Sequence, residues 1–309
     1  MGNVLTSPSS GDELSLDEEV IPNPEALRVA KLMKKRGIDI IPKSFTGDDG
    51  KPVVLGVPKK EDREKLKEEY TKLKRIVAQK LDGIESLGVG PRKPWEWTQT
   101  SKSVDELLEL AEASKSEFME TIHESLGGIP GTEAYFGKDD QFVTKSKGSL
   151  ERKVEDVTQM NMGTGLTETE ARERAVCTTN DSLRGTVLVD TIDNLRPTVE
   201  NMVRLFESKG GEVSVSNKWN EDYPDGYVGI HLVIKFAPES QPENFILAEL
   251  QIHLKAMKMG KIDKLAHTAY ESTRGQDSTT DLGREHIADG NIATQALLLS
   301  VLDEIVDSG

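Results

Sequence analysis

Apolar and polar positions alternate most regularly near residue 250. Ala248, Leu250 and Ile252 fall between Glu249, Gln251 and His253. Successive residues of a strand point to opposite faces, so alternate positions share one face. The spacing predicts a strand with a buried apolar face and an opposite face bearing a carboxylate, an amide and an imidazole. Other apolar runs predict strands over 184–190, 212–219, 227–236 and 245–252. A helical period of apolar positions predicts helices over 24–35, 59–81, 103–126, 168–177, 194–209, 254–272 and 292–306. Ser103 with Glu106 suits a capping box, and Gly37 and Gly210-Gly211 suit helix stops. Residues 38–57 read as loop, 127–137 as a Gly/Pro-rich linker and 276–289 as polar and irregular.

The order strand, helix, strand, strand, strand, helix implies an α+β fold, a mixed β-sheet packed against helices. It carries a helical N-terminal extension and a C-terminal helix. The change from helical to mixed pattern places a boundary in the linker. The organisation expected is a disordered start over 1–22, a helical region over 23–135, a mixed domain over 136–275, and a linker and helix over 276–309. Trp95 and Trp97 are expected to anchor their segment to a core.

Composition narrows the class. The chain has 309 residues, 30% of them charged, and no apolar run near the ~18 residues a membrane span needs. Its first residues are polar and acidic, so no secretory signal is expected there. The single cysteine, Cys177, excludes an internal disulfide and fits a reducing compartment. Five scattered histidines offer no zinc-type cluster. A net charge of −15 opposes binding to duplex nucleic acid but leaves room for a local basic pocket. Met1-Gly2-Asn3-Val4-Leu5-Thr6 matches the N-myristoylation pattern, and one acyl chain would give weak membrane association. A cytoplasmic site of action is expected, with tethering through Gly2 or delivery into a host cell as alternatives.

Polar residues collect near the predicted strand ends: Asp181, Asn217, Lys218, His231, Glu249 and Gln251. A basic segment with Lys145, Ser149, Arg152 and Lys153 precedes them. Carboxylates beside a basic loop suit a metal-bound triphosphate, because metal and cations spread the phosphate charge. Taken singly, each piece also has a structural explanation, such as a solvated helix turn for the lysines or a turn cap for Asp181.

In order, these pieces resemble the synthetase domain of the RelA/SpoT family, which makes alarmone nucleotides, over roughly residues 140–275. Lys145, Ser149 and Lys153 match its basic segment, with Val143 where the family has arginine. Asp181 matches the aspartate of the first core strand, followed here by Ser-Leu-Arg184-Gly185. Gly226-Tyr227-Val-Gly-Ile-His231 is similar to G-Y-x-S-x-H, with Gly229 replacing the serine. Glu249-Leu-Gln251-Ile-His253 is similar to E-x-Q-I-R, with His253 replacing the arginine, and His267 and Tyr270 match a final H-x-x-Y.

The resemblance implies a RelA/SpoT-like pyrophosphokinase fold and magnesium-dependent transfer of pyrophosphate from ATP to a ribose hydroxyl of an acceptor nucleotide, GDP or GTP first. Lys145, Ser149, Arg152, Lys153 and Arg184 would hold ATP. Asp181 and Glu249 would be the catalytic pair and hold Mg2+, with Glu249 near the acceptor hydroxyl. Tyr227 would stack on the acceptor base, and His231, Gln251 and His253 would line that side. Residues 1–140 show no hydrolase-type His-Asp domain. The alternatives are a catalytically inactive interaction protein of the same fold, or a toxin that modifies an RNA end.

Overall fold

The computed structural model describes residues 20–47, 50–90, 96–259, 261–274, 276 and 278–308. The Gly2 pattern and Trp95 lie outside them, as does most of the segment expected to be disordered. Helix α1 (Pro24–Lys35) starts where the Asn23 side chain accepts the amides of Glu25 and Ala26, with proline at the first turn. Strands β1 (Ile40–Thr46) and β2 (Pro52–Pro58) follow as an antiparallel hairpin. This corrects the reading of 38–57 as loop. The prolines and glycines that suggested a loop sit near the strand ends, while Phe45, Leu55 and Val57 are buried.

Helices α2 (Arg63–Lys80) and α3 (Val104–Leu126) come next. Strand β3 (Thr132–Tyr135) lies inside the expected linker; it is short and its burial is partial, so no apolar run announces it. Helices α4 (Lys147–Met162) and α5 (Glu168–Thr178) precede β4 (Leu183–Val189), α6 (Ile192–Ser208), β5 (Glu212–Asn217), β6 (Ile230–Phe236) and β7 (Ile246–Leu254). Strand β7 runs two residues beyond expectation before α7 (Lys255–Lys258) and α8 (Lys261–Arg274). Helix α9 (Asp281–Ser308) takes up much of the segment read as irregular. Its polar first turns hid the helical period; the Thr280 hydroxyl accepts the Gly283 amide at its start.

The central sheet has the order β3-β4-β7-β6-β5. Only β4 and β7 run parallel; the other pairs are antiparallel. The fold class is therefore the expected one, a mixed sheet packed against helices. The register sets the two faces: Val187, Ala248, Leu250, Ile252 and Ile234 are fully buried on one side. Each large aliphatic side chain buried there contributes about 1.5–3 kcal/mol. Helices α3 and α6 cover this face, Phe118 and Phe206 meeting each other and Phe236 of β6 with ring centroids 5.9 to 6.1 Å apart.

One apolar cluster runs from Ile21 to Leu302 and includes residues of α1, β2, α2, the sheet, α8 and α9. Asp289 on α9, almost fully buried, is ion-paired with both Lys43 on β1 and Arg63 on α2. A smaller cluster, Val104, Leu107, Leu150, Val154, Ala175 and Val176, joins α3, α4 and α5. Among the described residues no helix is long and apolar enough to cross a membrane.

Because residues before 135 share a core with those after it, removing 1–135 is expected to leave Leu297, Leu299 and Leu302 without their cover. A protein of residues 136–309 should show no cooperative thermal transition and should bind a hydrophobic dye. A sharp transition near that of the whole chain would establish an independent domain.

Candidate active site

The sheet face opposite α3 and α6 is polar because the alternation of β7 leaves it no choice. With Leu250 and Ile252 fixed in the core, Glu249, Gln251 and His253 must share the other face. Register brings partners alongside them. Arg184 on β4 pairs with Glu249, Thr186 with Gln251, and His231 on β6 with Gln251 across the other edge.

Two arms of side chains converge on Glu249. In the first, Gln251 Nε2 donates to Glu249 Oε2 at 3.1 Å, and Gln251 Oε1 lies 3.2 Å from His253 Nε2. In the second, Tyr227 Oη lies 2.7 Å from His231 Nε2, and His231 Nδ1 lies 3.6 Å from Glu249 Oε1. Tyr227 Oη also stands 3.4 Å from His253 Nε2, which closes the ring. Burial, with Lys218 adding to it, pushes the His231 pKa down to about 4. Burial, helped by Lys258, pushes His253 down to about 3. Both imidazoles are therefore neutral near pH 7, and each has one proton to donate. A His231 proton on Nδ1 faces Glu249 while Nε2 accepts from Tyr227. His253 Nε2 faces Gln251 Oε1, and a backbone hydrogen bond with Val228 works against the lowering of the His253 pKa.

Burial raises the Glu249 pKa, and the nearby Asp181 charge raises it further; Gln251, Lys153 and Arg184 pull the other way. Asp181 shows the reverse balance. Burial alone would raise its pKa, but Lys153 and Lys145 hold it below the ordinary value. Lys145 Nζ lies 2.6 Å from one carboxylate oxygen and Lys153 Nζ 2.7 Å from the other. A half-buried carboxylate flanked by two ammonium groups avoids the large cost of an unpaired charge away from water.

Gln99, outside the expected motifs, and Gly229, within one, set this geometry. Gln99, 5% exposed, donates from Nε2 to the carbonyls of Val176 (2.9 Å) and Thr179 (2.8 Å), and its Oε1 accepts the Leu247 amide at 3.1 Å. It thus ties the chain two residues before Asp181 to the chain two residues before Glu249. Gly229 makes room for His253: a Cβ there would come within 2.7 Å of His253 Cε1 and 2.9 Å of Nδ1. The two departures from the family pattern, glycine for serine and histidine for arginine, are thus in direct contact. No sequence spacing announces either relation, since the partners lie far apart in the chain.

The remaining expected site residues divide. Arg184 donates from Nε to the Phe142 carbonyl at 3.1 Å. Half-buried Ser149 and exposed Arg152 lie on α4, with Arg152 donating to the Ser149 hydroxyl at 3.1 Å. Only Lys145 and Lys153 of the basic segment engage Asp181. His267 and Tyr270 are on α8, which packs against α9 and β1 rather than against the polar sheet face. Lys218, paired with Glu221 at 2.8 Å, completes the rim beside His231.

Among the described residues no group of three or more His, Cys, Asp or Glu side chains is gathered to hold a metal. Magnesium does not need one: it commonly takes one or two carboxylates and completes its shell with phosphate oxygens and water. Asp181 and Glu249 are two hard oxygen donors within electrostatic reach of each other, so they fit a magnesium that arrives with a triphosphate.

The neutral histidines give a pH signature. Their folded pKa values lie below the usual 6.5, so the folded state binds fewer protons than the unfolded state. Stability should be full above about pH 6.5 and fall as pH drops towards 5, on the order of 1 kcal/mol per pH unit for each histidine. Urea denaturation across this range should show a shallower slope in His231→Gln; an unchanged slope would mean that His231 is not held neutral. A second expectation concerns Gly229. Gly229→Ser should cost about 1–3 kcal/mol by crowding His253. His253→Ala in the same chain should recover most of that loss, whereas additive losses in the double variant would separate the two positions.

No protein-family model matches the chain, and a search of curated proteins found no match. Among solved structures, it is similar to the small alarmone synthetase 1 from Bacillus subtilis bound to its product pppGpp. That match has 15% identity and a TM-score of 0.40, and covers 67% of this chain and 98% of the other. It is also similar to a GTP pyrophosphokinase family protein from Streptococcus pneumoniae, with 18% identity, a TM-score of 0.33, and coverage of 67% and 89%.

Proposed function

We propose that the protein transfers pyrophosphate from ATP to a ribose hydroxyl of an acceptor nucleotide, with GDP or GTP as the first candidates. The observation that carries this reading is the setting of Glu249. It is a half-buried carboxylate of raised pKa, hydrogen-bonded by Gln251, faced by the His231 ring and coupled to a lysine-flanked aspartate. Such a group is a better base near neutrality than a solvated carboxylate.

In this reading the phosphates of ATP draw Lys145, Lys153 and Arg184 to themselves, with Arg152 and Ser149 at the outer edge of the same helix. Asp181, freed of its lysine partners, would be available to a magnesium that accompanies the triphosphate. That ion would be held by Asp181 and Glu249 and would offset charge on the transferring group. Tyr227 stacks on the acceptor base, while His231, Gln251 and His253 donate or accept without adding charge. The acceptor oxygen forms a bond to the β-phosphorus of ATP, the bond from that phosphorus to the bridging oxygen breaks, and AMP leaves. The ribose proton passes to Glu249. A hydroxyl is a poor nucleophile, so this transfer is where a positioned base contributes most.

The pairing of Asp181 with two lysines supports a second reading, in which the face binds a nucleotide without turnover. The same experiment separates the two. The protein is incubated with γ-labelled ATP, magnesium and GDP, GTP, ADP, ATP or tRNA, and the products are resolved by chromatography. Transfer predicts labelled acceptor together with AMP; binding without turnover predicts ATP retention and no labelled product. Glu249→Gln is nearly isosteric, so it should keep the melting temperature and lower turnover by about 100- to 10,000-fold. Turnover like that of the unaltered protein would remove Glu249 from the chemistry.

A further inference from the structure

Much of what holds the loop that carries Tyr227 lies outside the sheet it serves. Residues 221–227 join the 3-10 turn Lys218–Asn220 to β6. Three of the loop's carbonyls accept hydrogen bonds from side chains on helices outside the motif-bearing region. The Tyr70 hydroxyl on α2 donates to the Gly226 carbonyl. Lys74, one turn further along α2, donates to the Glu221 carbonyl at 2.7 Å and pairs with Asp222 at 2.7 Å. Gln295 on α9 donates from Nε2 to the Pro224 carbonyl at 2.7 Å.

All three donors are nine-tenths or more buried: Tyr70 is 4% exposed, and Lys74 and Gln295 are 6% exposed. A lysine so buried is uncommon unless it is paired, and here both its partners belong to this loop. The contact is also close-fitting. Gly226 has φ +76°, a region that favours glycine, and a Cβ there would come within 2.8 Å of Gln295 Cγ and 3.2 Å of Tyr70 Cε1. Burial, with the Asp225 charge behind it, raises the Tyr70 pKa, so its hydroxyl stays protonated and remains a donor.

Within the loop, order passes towards the site. The Gly226 amide bonds to the Tyr223 carbonyl at 2.9 Å, and the Tyr227 amide to Asp225 Oδ1 at 3.0 Å. The Tyr223 ring then meets the Tyr227 ring edge-on at 5.8 Å, and Tyr227 meets His231 and His253 edge-on at 5.6 and 5.8 Å.

We propose that Tyr70, Lys74 and Gln295 are positioning residues: α2 and α9 form a clamp that fixes the 221–227 loop and so sets where Tyr227 stands over the acceptor side of the site. The effect on acceptor recognition rests on the pyrophosphate-transfer reading; the clamp itself rests on the geometry. In that reading the clamp acts on the acceptor side, while ATP would be held by the basic segment and Arg184, outside the clamped loop.

The test uses the whole chain with Tyr70→Phe, Lys74→Met and the conservative Lys74→Arg. Hydrogen exchange at the amides of Gly226 and Tyr227 is followed by NMR, beside exchange in the β4 and β7 core. Tyr70→Phe and Lys74→Met are expected to speed exchange in the loop by about three- to tenfold while core exchange holds, the size expected for one lost hydrogen bond. Where the unaltered protein turns over, KM for the acceptor should rise by a similar factor, KM for ATP should stay fixed, and Lys74→Arg should recover part of the change. Loop exchange that is unchanged, or that rises only in step with the core, overturns the clamp. Faster loop exchange with an unmoved acceptor KM overturns its role in positioning. If the unaltered protein transfers nothing to any acceptor, the pyrophosphate reading fails and the exchange measurement alone decides the clamp.

Discussion

The burial of one face of β7 is the constraint on which the rest depends. Ala248, Leu250, Ile252 and Leu254 are almost completely excluded from solvent, between parallel β4 and antiparallel β6. A slip of one residue would put Glu249 and Gln251 into the core and three aliphatic side chains into the cleft. The apolar side thus sets where the polar side chains point before any hydrogen bond is counted. The Gln251 hydrogen bond then holds one oxygen of the Glu249 carboxylate, with the His231 ring 3.6 Å from the other.

The electrostatics of the face follow from how each charge avoids isolation. Asp181 is flanked by Lys145 and Lys153 and is held ionised. Glu249 has an amide and a neutral imidazole nearest its oxygens, so burial outweighs the pull of Lys153 and Arg184 and its pKa rises. Two carboxylates in one cleft are thereby pushed in opposite directions, a pattern that suits distinct roles. A triphosphate competes for the lysines with more charge than Asp181 has. Its binding would therefore alter the environment of both carboxylates at once.

Much of the sheet was legible in the sequence because strand periodicity is local. The alternation around Glu249, the apolar run of β4 and the amphipathic stripe of α6 each lie within one stretch of chain, and each element forms where its pattern stands. The β1–β2 hairpin was misread because prolines and glycines bounded short strands and looked like loop. Strand β3 carries too little apolar surface to be seen. The relations that shape the site were hidden for another reason. Gln99 meets Leu247, Gly229 meets His253, and Tyr70 meets Gly226 only once the chain has folded. The basic segment was half legible: helical spacing brings Lys153 to Asp181 and leaves Arg152 outside, and the sequence held both as equals.

The central claim is that this polar sheet face receives a magnesium-bound triphosphate. A crystal structure grown with magnesium and a non-hydrolysable ATP analogue tests it most directly. Phosphate oxygens are expected against Lys145, Lys153 and Arg184, with Asp181 turned from its lysines to the metal. A nucleotide bound elsewhere, with both Asp181 ion pairs intact, would contradict it.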